Sequence, residues 1–207
     1  SKGNKITIAL GRPMDVLGNR VEADGKSYSK SGRQVSTSDY FRDQHGNINR
    51  DYQRESEYTR MLGDHIVERY HADGIVLPSH LVSYAAFGML EKTFPNNDLY
   101  ALLRLPAEDF YFDRDGLHSV VEQLRDRLLL LNKEDNAKLS QELYDSPEEI
   151  VRQGIATLGN FHIDKPLRYD KEDRIVCDNF AMLHYYHNRL STFYLKRYVN
   201  WPVKLVR

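Results

Sequence analysis

At 207 residues the chain has room for one domain with an appendage, or two small domains, and is long enough to bury a core. Its 29 Lys and Arg nearly cancel 30 Asp and Glu, so no global field steers it toward nucleic acid, and an anionic partner must be met locally. The single cysteine, Cys177, excludes an intrachain disulfide and suits a reducing compartment, and apolar runs such as residues 128–131 fall far short of the roughly 18–20 residues that cross a bilayer. No secretory leader is visible, and Ser1 in place of an initiating methionine suggests processing or a piece cut from a longer chain.

Residues 5–10 carry a short apolar run with β-branched Ile6, Thr7 and Ile8 that stops at Gly11 and Pro13, which predicts a strand. About 40 polar, Gly-rich residues follow, so this strand has no local sheet to join. Within them, "GRPMDVLGNRVEADGKS" has the look of a phosphate-binding loop. That loop needs four residues between its glycine and Gly-Lys-Ser, and a helix behind it to face the anion. Here six residues separate Gly18 from Gly25, and the sequence after Ser27 is turn-like, so Asp24-Gly25 is read as a hairpin turn. Ser31-Gly32 and His45-Gly46 predict two more.

From Asp51 the pattern turns helical. Tyr58, Met61, Leu62, His65, Ile66 and Tyr70 recur at three- and four-residue steps and predict one helix face. Residues 79–94 predict a second helix, apolar nearly all round and therefore buried, ended by Pro95-Asn96-Asn97. Residues 99–105 form a short apolar element closed by Pro106. Leu117, Val120, Val121, Leu124, Leu128 and Leu131 predict a third helix, with Asp115 as its cap. Ser146-Pro147-Glu148-Glu149 combines a capping box with proline at the first helical position, and Gly159-Asn160 ends that helix. Residues 167–169 and 174–177 predict a small hairpin. Asp178 or Asn179 then caps a last helix carrying Phe180, Leu183, Tyr186, His187, Leu190 and Tyr194. No repeat of 20–50 residues occurs. The fold class is mainly α (α+β): a strand in residues 1–14, a hairpin linker in 15–50, and a helical domain in 51–207 with a small hairpin near 167–177.

Several clusters carry possible chemistry, each beside a structural explanation. Asp113, Asp115, Gly116 and Glu122 match positions of a calcium loop, but Tyr111 stands where the first carboxylate belongs, which favours a helix cap. Cys177, His184 and His187 offer three metal ligands, one short of a structural zinc site, so a buried thiol among helix-packing rings is favoured and no metal is assigned. The order helix, hairpin, helix after Ser146 suggests a winged helix, but its wing, Asp170-Lys171-Glu172-Asp173, is net acidic and would repel phosphate. Ser79-His80 reads as capping at a helix start, and no serine or cysteine sits in a nucleophile elbow. Near the C-terminus, Lys196, Arg197, Tyr198, Trp201, Lys204 and Arg207 mix basic and aromatic side chains, which suits the headgroup layer of an anionic membrane and equally a docked tail. On these grounds alone the chain is a helical binding or scaffolding domain.

The stretch "ITIALGRPMDVLGNRVEADGKSYSKSGRQVSTSDYF" through "NRDYQRESEYTRMLGDHIVERY" resembles the C-terminal part of bacterial glycerol-3-phosphate and lysophosphatidate acyltransferases. "VLPSHLVSYAAFGMLEK", "LYALLRLP" and "LHYYHNRLSTFYL" resemble later segments of the same proteins. The likeness covers nearly the whole chain and rests on the order of segments. It implies that residues 1–14 carry the last strand of a truncated α/β acyltransferase domain, closed by the family's Gly-Lys/Arg-Pro, here Gly11-Arg12-Pro13. The family's chemistry lies in a His-x4-Asp box in which histidine is the general base for the glycerol hydroxyl. None of the eight histidines here has aspartate five positions later, and the FPEG-like phosphate block is absent, so no catalytic residue carries over. The resemblance implies a non-catalytic domain of an enzyme that moves an acyl group from a thioester donor to glycerol 3-phosphate or lysophosphatidate, with Arg12 near the phosphate site and no cofactor. It also implies a cytoplasmic, peripheral place on the inner face of the cell membrane. The exposed strand edge predicts self-association through the N-terminal strand. The alternative is an independent helical interaction module without catalytic activity.

Overall fold

A computed structural model describes residues 6–202 and 205–206. The chain divides into two compact units, Ser1–Gly74 and Ile75–Arg207. The helix that starts after Asp51 therefore belongs with the hairpins before it, whereas the change of pattern at Asp51 groups it with the helices that follow.

The first unit is built on one turn used repeatedly. In residues 15–19, 22–26, 29–33 and 43–47, the N–H of the first residue donates to the carbonyl of the fifth, and the N–H of the fourth, a glycine, donates back to the carbonyl of the first. Those glycines, Gly18, Gly25, Gly32 and Gly46, all take φ between +76° and +82°, the region a side chain resists. Polar side chains at the first position brace the turn: Asp15 Oδ1 accepts the N–H groups of Leu17 and Asn19, and Asp43 Oδ1 those of His45 and Asn47. The glycines recur every seven residues with one step skipped, where Asp39 stands instead and a 3-10 helix, Thr37–Phe41, makes the turn. This seven-residue period is far shorter than the 20–50-residue periods of solenoid and propeller repeats. Its arms form an antiparallel meander of β1 (Arg20–Val21), β2 (Ser27–Tyr28) and β3 (Gln34–Val35), with Arg20 opposite Tyr28 and Ser27 opposite Val35. The expected linker is thus an ordered sheet, and the three expected turns are where the sequence places them.

The strand expected at residues 5–10 does not form over its described part. Residues 6–10 join no ladder, and Ile6, Ile8 and Leu10 stay largely in solvent. A strand exists through its partner's hydrogen bonds, and none is offered among the described residues.

Helix α1, Tyr52–Asp73, starts at Asp51, whose Oδ1 accepts the N–H groups of Gln53 and Arg54 at 3.0 and 3.1 Å. Its half-buried face is Arg54, Tyr58, Leu62, His65 and Arg69, whereas Met61, Ile66 and Tyr70 are exposed. The expected face is rotated because polar anchors fill the inner side. Arg54 donates to the carbonyls of Phe41 and Asn49, and Tyr58 sits edge-on to Tyr40 and Phe41.

The second unit is organised around α2, Pro78–Thr93, whose residues from 78 to 90 are buried except His80. Tyr84, Phe87, Met89 and Leu90 are sealed from solvent, each burial stabilising the fold by about 1.5–3 kcal/mol. Packed around it are α4 (Arg114–Lys133), α5 (Pro147–Thr157) and α6 (Phe180–His187), with the short α3 (Leu99–Leu103) against α6. Gly154 allows α5 its close approach, since a Cβ there would lie 2.5 Å from Val82 Cγ2. Helix α4 is capped by Asp113, not Asp115, because the Asp113 carboxylate reaches the Gly116 N–H at 2.7 Å. Ser146 caps α5 as expected, but Glu149 turns to Arg152 and Gln153. Helix α6 is capped by Asn179 and ends at His187, short of Leu190 and Tyr194. The backbone continues as 3-10 turns over Asn188–Phe193 and Leu195–Tyr198, with Tyr194 between them at φ +51°.

Short ladders tie the helices together. β4 (Ile75–Val76) runs parallel to β6 (Lys138–Leu139). The expected hairpin forms as β7 (Arg168–Tyr169) and β8 (Ile175–Val176), and it extends into a four-stranded sheet through β5 (Tyr111–Phe112) and β9 (Leu205–Val206). The outcome is a mainly helical chain with small sheets.

Candidate functional site

A group of buried and half-buried titratable side chains lies between α2 and α6. His80, Tyr84, Phe87 and Glu91 step four, three and four residues along α2, which places them on one stripe, and His184 and His187 are one turn apart on α6. The Tyr84 and His187 rings stack with centroids 4.7 Å apart and planes 4° from parallel. Phe87 lies 4.7 Å from the His184 ring and 5.0 Å from that of His187, and the two imidazoles are 5.5 Å apart. Lys196, brought back by the left-handed Tyr194, donates to Glu91 and lies 5.9 Å from the Tyr84 ring centre.

Burial governs the protonation of this group. It pushes His187 down to about 4, with the Lys196 charge acting in the same direction and the Asn188 hydrogen bond opposing. His80 is likewise pushed down to about 4 by burial first and then by Arg189. His184 is lowered by burial and Tyr84 raised by it. Both deep histidines are therefore neutral at neutral pH. His187 Nδ1 meets Asn188 Oδ1 at 3.2 Å, while its Nε2 is buried with no hydrogen-bond partner. Such a nitrogen is a base in principle, but Tyr84 and Phe87 lie over the ring that carries it, so the arrangement serves packing rather than proton transfer.

The other candidates are placed as follows. Cys177 is buried and its thiol is pushed up to about 12 by burial, which removes its nucleophilic form. His184 and His187 come together without Cys177, and among the described residues no group of three or more His, Cys, Asp or Glu side chains is placed to hold a metal ion. In the calcium-like stretch, Tyr111 pairs in the sheet and Asp113 is spent on its cap. His80 Nδ1 accepts the Leu77 N–H at 3.3 Å, the capping role expected of that helix start. The acidic turn is neutralised within the protein: Asp170 accepts from Glu172 and Arg174, and Arg114 at the start of α4 donates to the Asp173 carboxylate at 2.7 Å. Among the described residues no serine or cysteine side chain hydrogen-bonds a histidine ring.

Arg12 is an exposed residue of the first unit. Of the basic and aromatic residues near the C-terminus, Lys196 is paired with Glu91, Tyr198 lies under the Arg127 guanidinium at 4.3 Å and beside Arg197 at 4.9 Å, and Trp201 is seated on Gly88. Lys204 and Arg207 lie outside the described residues. The sequence carried one signal for the α2 stripe, the four-three-four spacing of His80, Tyr84, Phe87 and Glu91, hidden because their neighbours are apolar all round the helix. Comparison with protein-family models, with curated proteins and with solved structures returned no match.

Proposed function

We propose that this chain is the C-terminal, non-catalytic part of a phospholipid-pathway acyltransferase, which moves an acyl group from a thioester donor to glycerol 3-phosphate or lysophosphatidate. The observation that carries the reading is the run at Ile6, Ile8 and Leu10. These side chains alternate at the two-residue period of a strand face, yet are 82%, 80% and 90% exposed. A strand face of that kind is covered when the run is added to the edge of a sheet, here that of a preceding acyltransferase domain. Arg12 follows the run by two residues and so stands at the end of that strand, within reach of the substrate phosphate. Acyl donor and acceptor are then partners of the preceding domain, and the helical unit supports it at the inner face of the cell membrane. Without that domain the same edge pairs between copies of this chain.

The second reading, an independent helical interaction module, draws on the closed core of residues 75–207, where Leu81, Phe87, Leu124 and Leu183 are sealed within one cluster. Thioester-dependent acyl transfer to glycerol 3-phosphate and lysophosphatidate, measured on this chain and on the native polypeptide that contains it, separates the two. Transfer by the longer polypeptide alone is expected. Transfer by neither would leave the interaction module.

A further inference from the structure

Between α5 and β7 the chain makes a loop, residues 159–165, whose two large apolar side chains face water. Phe161 is 89% exposed and Ile163 fully exposed. The loop is tied along its length. Gly159 takes φ +67° and lies so close to Pro166 that a Cβ would meet its Cδ at 2.4 Å. The His162 N–H donates to the Gly159 carbonyl at 3.0 Å, and its ring meets the Tyr186 hydroxyl at 3.1 Å, so the residue between the two apolar ones is held back against α6. Lys165 Nζ donates across the loop to the carbonyls of Gly159 and His162 at 2.8 and 3.1 Å. The Lys165 N–H donates to Asp178 Oδ2, and the Asp178 N–H returns to the Lys165 carbonyl.

The surroundings are aromatic and cationic. Tyr186 touches the exposed Tyr185 edge-on at 5.3 Å, and the charge of the exposed Arg189 acts on the Tyr186 hydroxyl. Lys165 Nζ is held by two neutral carbonyls, and Arg189 is exposed. Asp164 is the one acidic residue of the loop.

We infer that residues 159–165 form a bilayer-insertion tip, in which Phe161 and Ile163 enter the acyl boundary of an anionic membrane while Tyr185, Tyr186, Lys165 and Arg189 meet its headgroups. Two features favour a lipid surface over a protein. Two side chains at a loop tip offer a small fraction of the roughly 800 Å² per partner that a stable protein interface buries. A bilayer, by contrast, takes individual apolar side chains additively and draws on neighbouring cations when its headgroups are acidic. The assignment moves lipid contact away from the C-terminal stretch, where Lys196 and Trp201 are already engaged. It stands on the loop's own geometry and holds whether or not the acyltransferase reading does.

The test is flotation of the full chain with phosphatidylcholine vesicles, with and without phosphatidylglycerol. The wild type is expected to float with the vesicles, more strongly when phosphatidylglycerol is present. The double variant Phe161→Ser/Ile163→Ser is expected to bind about a hundredfold more weakly, on the order of tenfold for each side chain withdrawn. Its unfolding profile should be unchanged, since both side chains are already in water. Ile48→Ser, which removes an exposed apolar side chain of the first unit, should float as the wild type does. The inference is overturned if the wild type floats with neither vesicle, if the double variant floats as well as the wild type, or if Ile48→Ser is equally impaired. A change in mass of the double variant in light scattering, without vesicle binding by the wild type, would assign the tip to contact between copies instead. Flotation reads neither acyl donor nor acceptor, so its failure is distinct from failure of the proposed function.

Discussion

Trp201 rests directly on the backbone of α2 at Gly88: a Cβ built on that glycine would lie 2.2 Å from the indole Cη2. The ring is fixed from its other edge by the Nε1–H, which donates to the Lys196 carbonyl at 3.0 Å. This contact docks residues 196–201 onto the central helix, and it explains why α2 carries a glycine in its third turn despite the helix-propensity cost.

Gly88→Ala should therefore displace the indole. Overpacking of this kind costs about 1–3 kcal/mol, read by urea unfolding. Trp201 is the one tryptophan of the chain, so its emission should shift to the red in the folded variant. In a Trp201→Ala background the same substitution should cost much less, and equal costs in both backgrounds would contradict the contact.

Acid should destabilise the second unit before its carboxylates are neutralised. His80 and His187 have folded values near 4 against an ordinary value near 6.5, so the unfolded chain takes up their protons first. Their contribution is fully present above about pH 6.5 and is lost as the pH falls toward 4, roughly 3 kcal/mol for His187. The groups facing His187 are Tyr84, Phe87, His184, Asn188 and Lys196, none of them an anion that would hold an imidazolium. His187→Phe keeps a ring against Tyr84 and removes the orphaned Nε2. Stability at pH 7 should hold or rise, and the slope between pH 6.5 and 4 should fall by about one proton. An unchanged slope would exclude His187 as its source.

Cys177 should be inert in the native protein. A thiol pushed up to about 12 carries on the order of a thousandfold less thiolate at pH 8 than a free cysteine. Labelling by an aromatic disulfide reagent should therefore follow global unfolding in urea. Rapid labelling without denaturant would show that the thiol is reached by local opening.

The elements legible in the sequence were those whose signal is local. Ser146-Pro147 and Asn179 announce helix starts because a side chain meets a backbone N–H three residues on, and Asp24-Gly25 announces a turn because only certain residues accept its φ. What depends on distant partners was not legible. Residues 6–10 have the composition of a strand, and composition supplies no partner for the ladder. The rotated face of α1 depends on Arg54 reaching carbonyls near residues 41–49, and β5 became a sheet strand because β8 and β9 come to it from far along the chain. The seven-residue spacing of Gly18, Gly25, Gly32 and Gly46 was present throughout, but a repeat this short is recognised only when its hydrogen bonds are seen to coincide. Of the candidate site, the histidine pair of α6 was legible from its one-turn spacing. The stripe of α2 facing it was masked by apolar neighbours.

The most direct test of the central claim is acyl transfer by the native polypeptide with the run at Ile6, Ile8 and Leu10 replaced by aspartate at all three positions, beside the wild type. In residues 1–207 alone those side chains are largely in solvent, so urea unfolding of this chain with the same three substitutions, followed through Trp201, should be unchanged. On the proposed reading, acyl transfer to glycerol 3-phosphate or lysophosphatidate should be lost, because the run would no longer complete the sheet of an acyltransferase domain. Wild-type transfer by the triple variant would contradict the account, as would its absence from the native polypeptide itself.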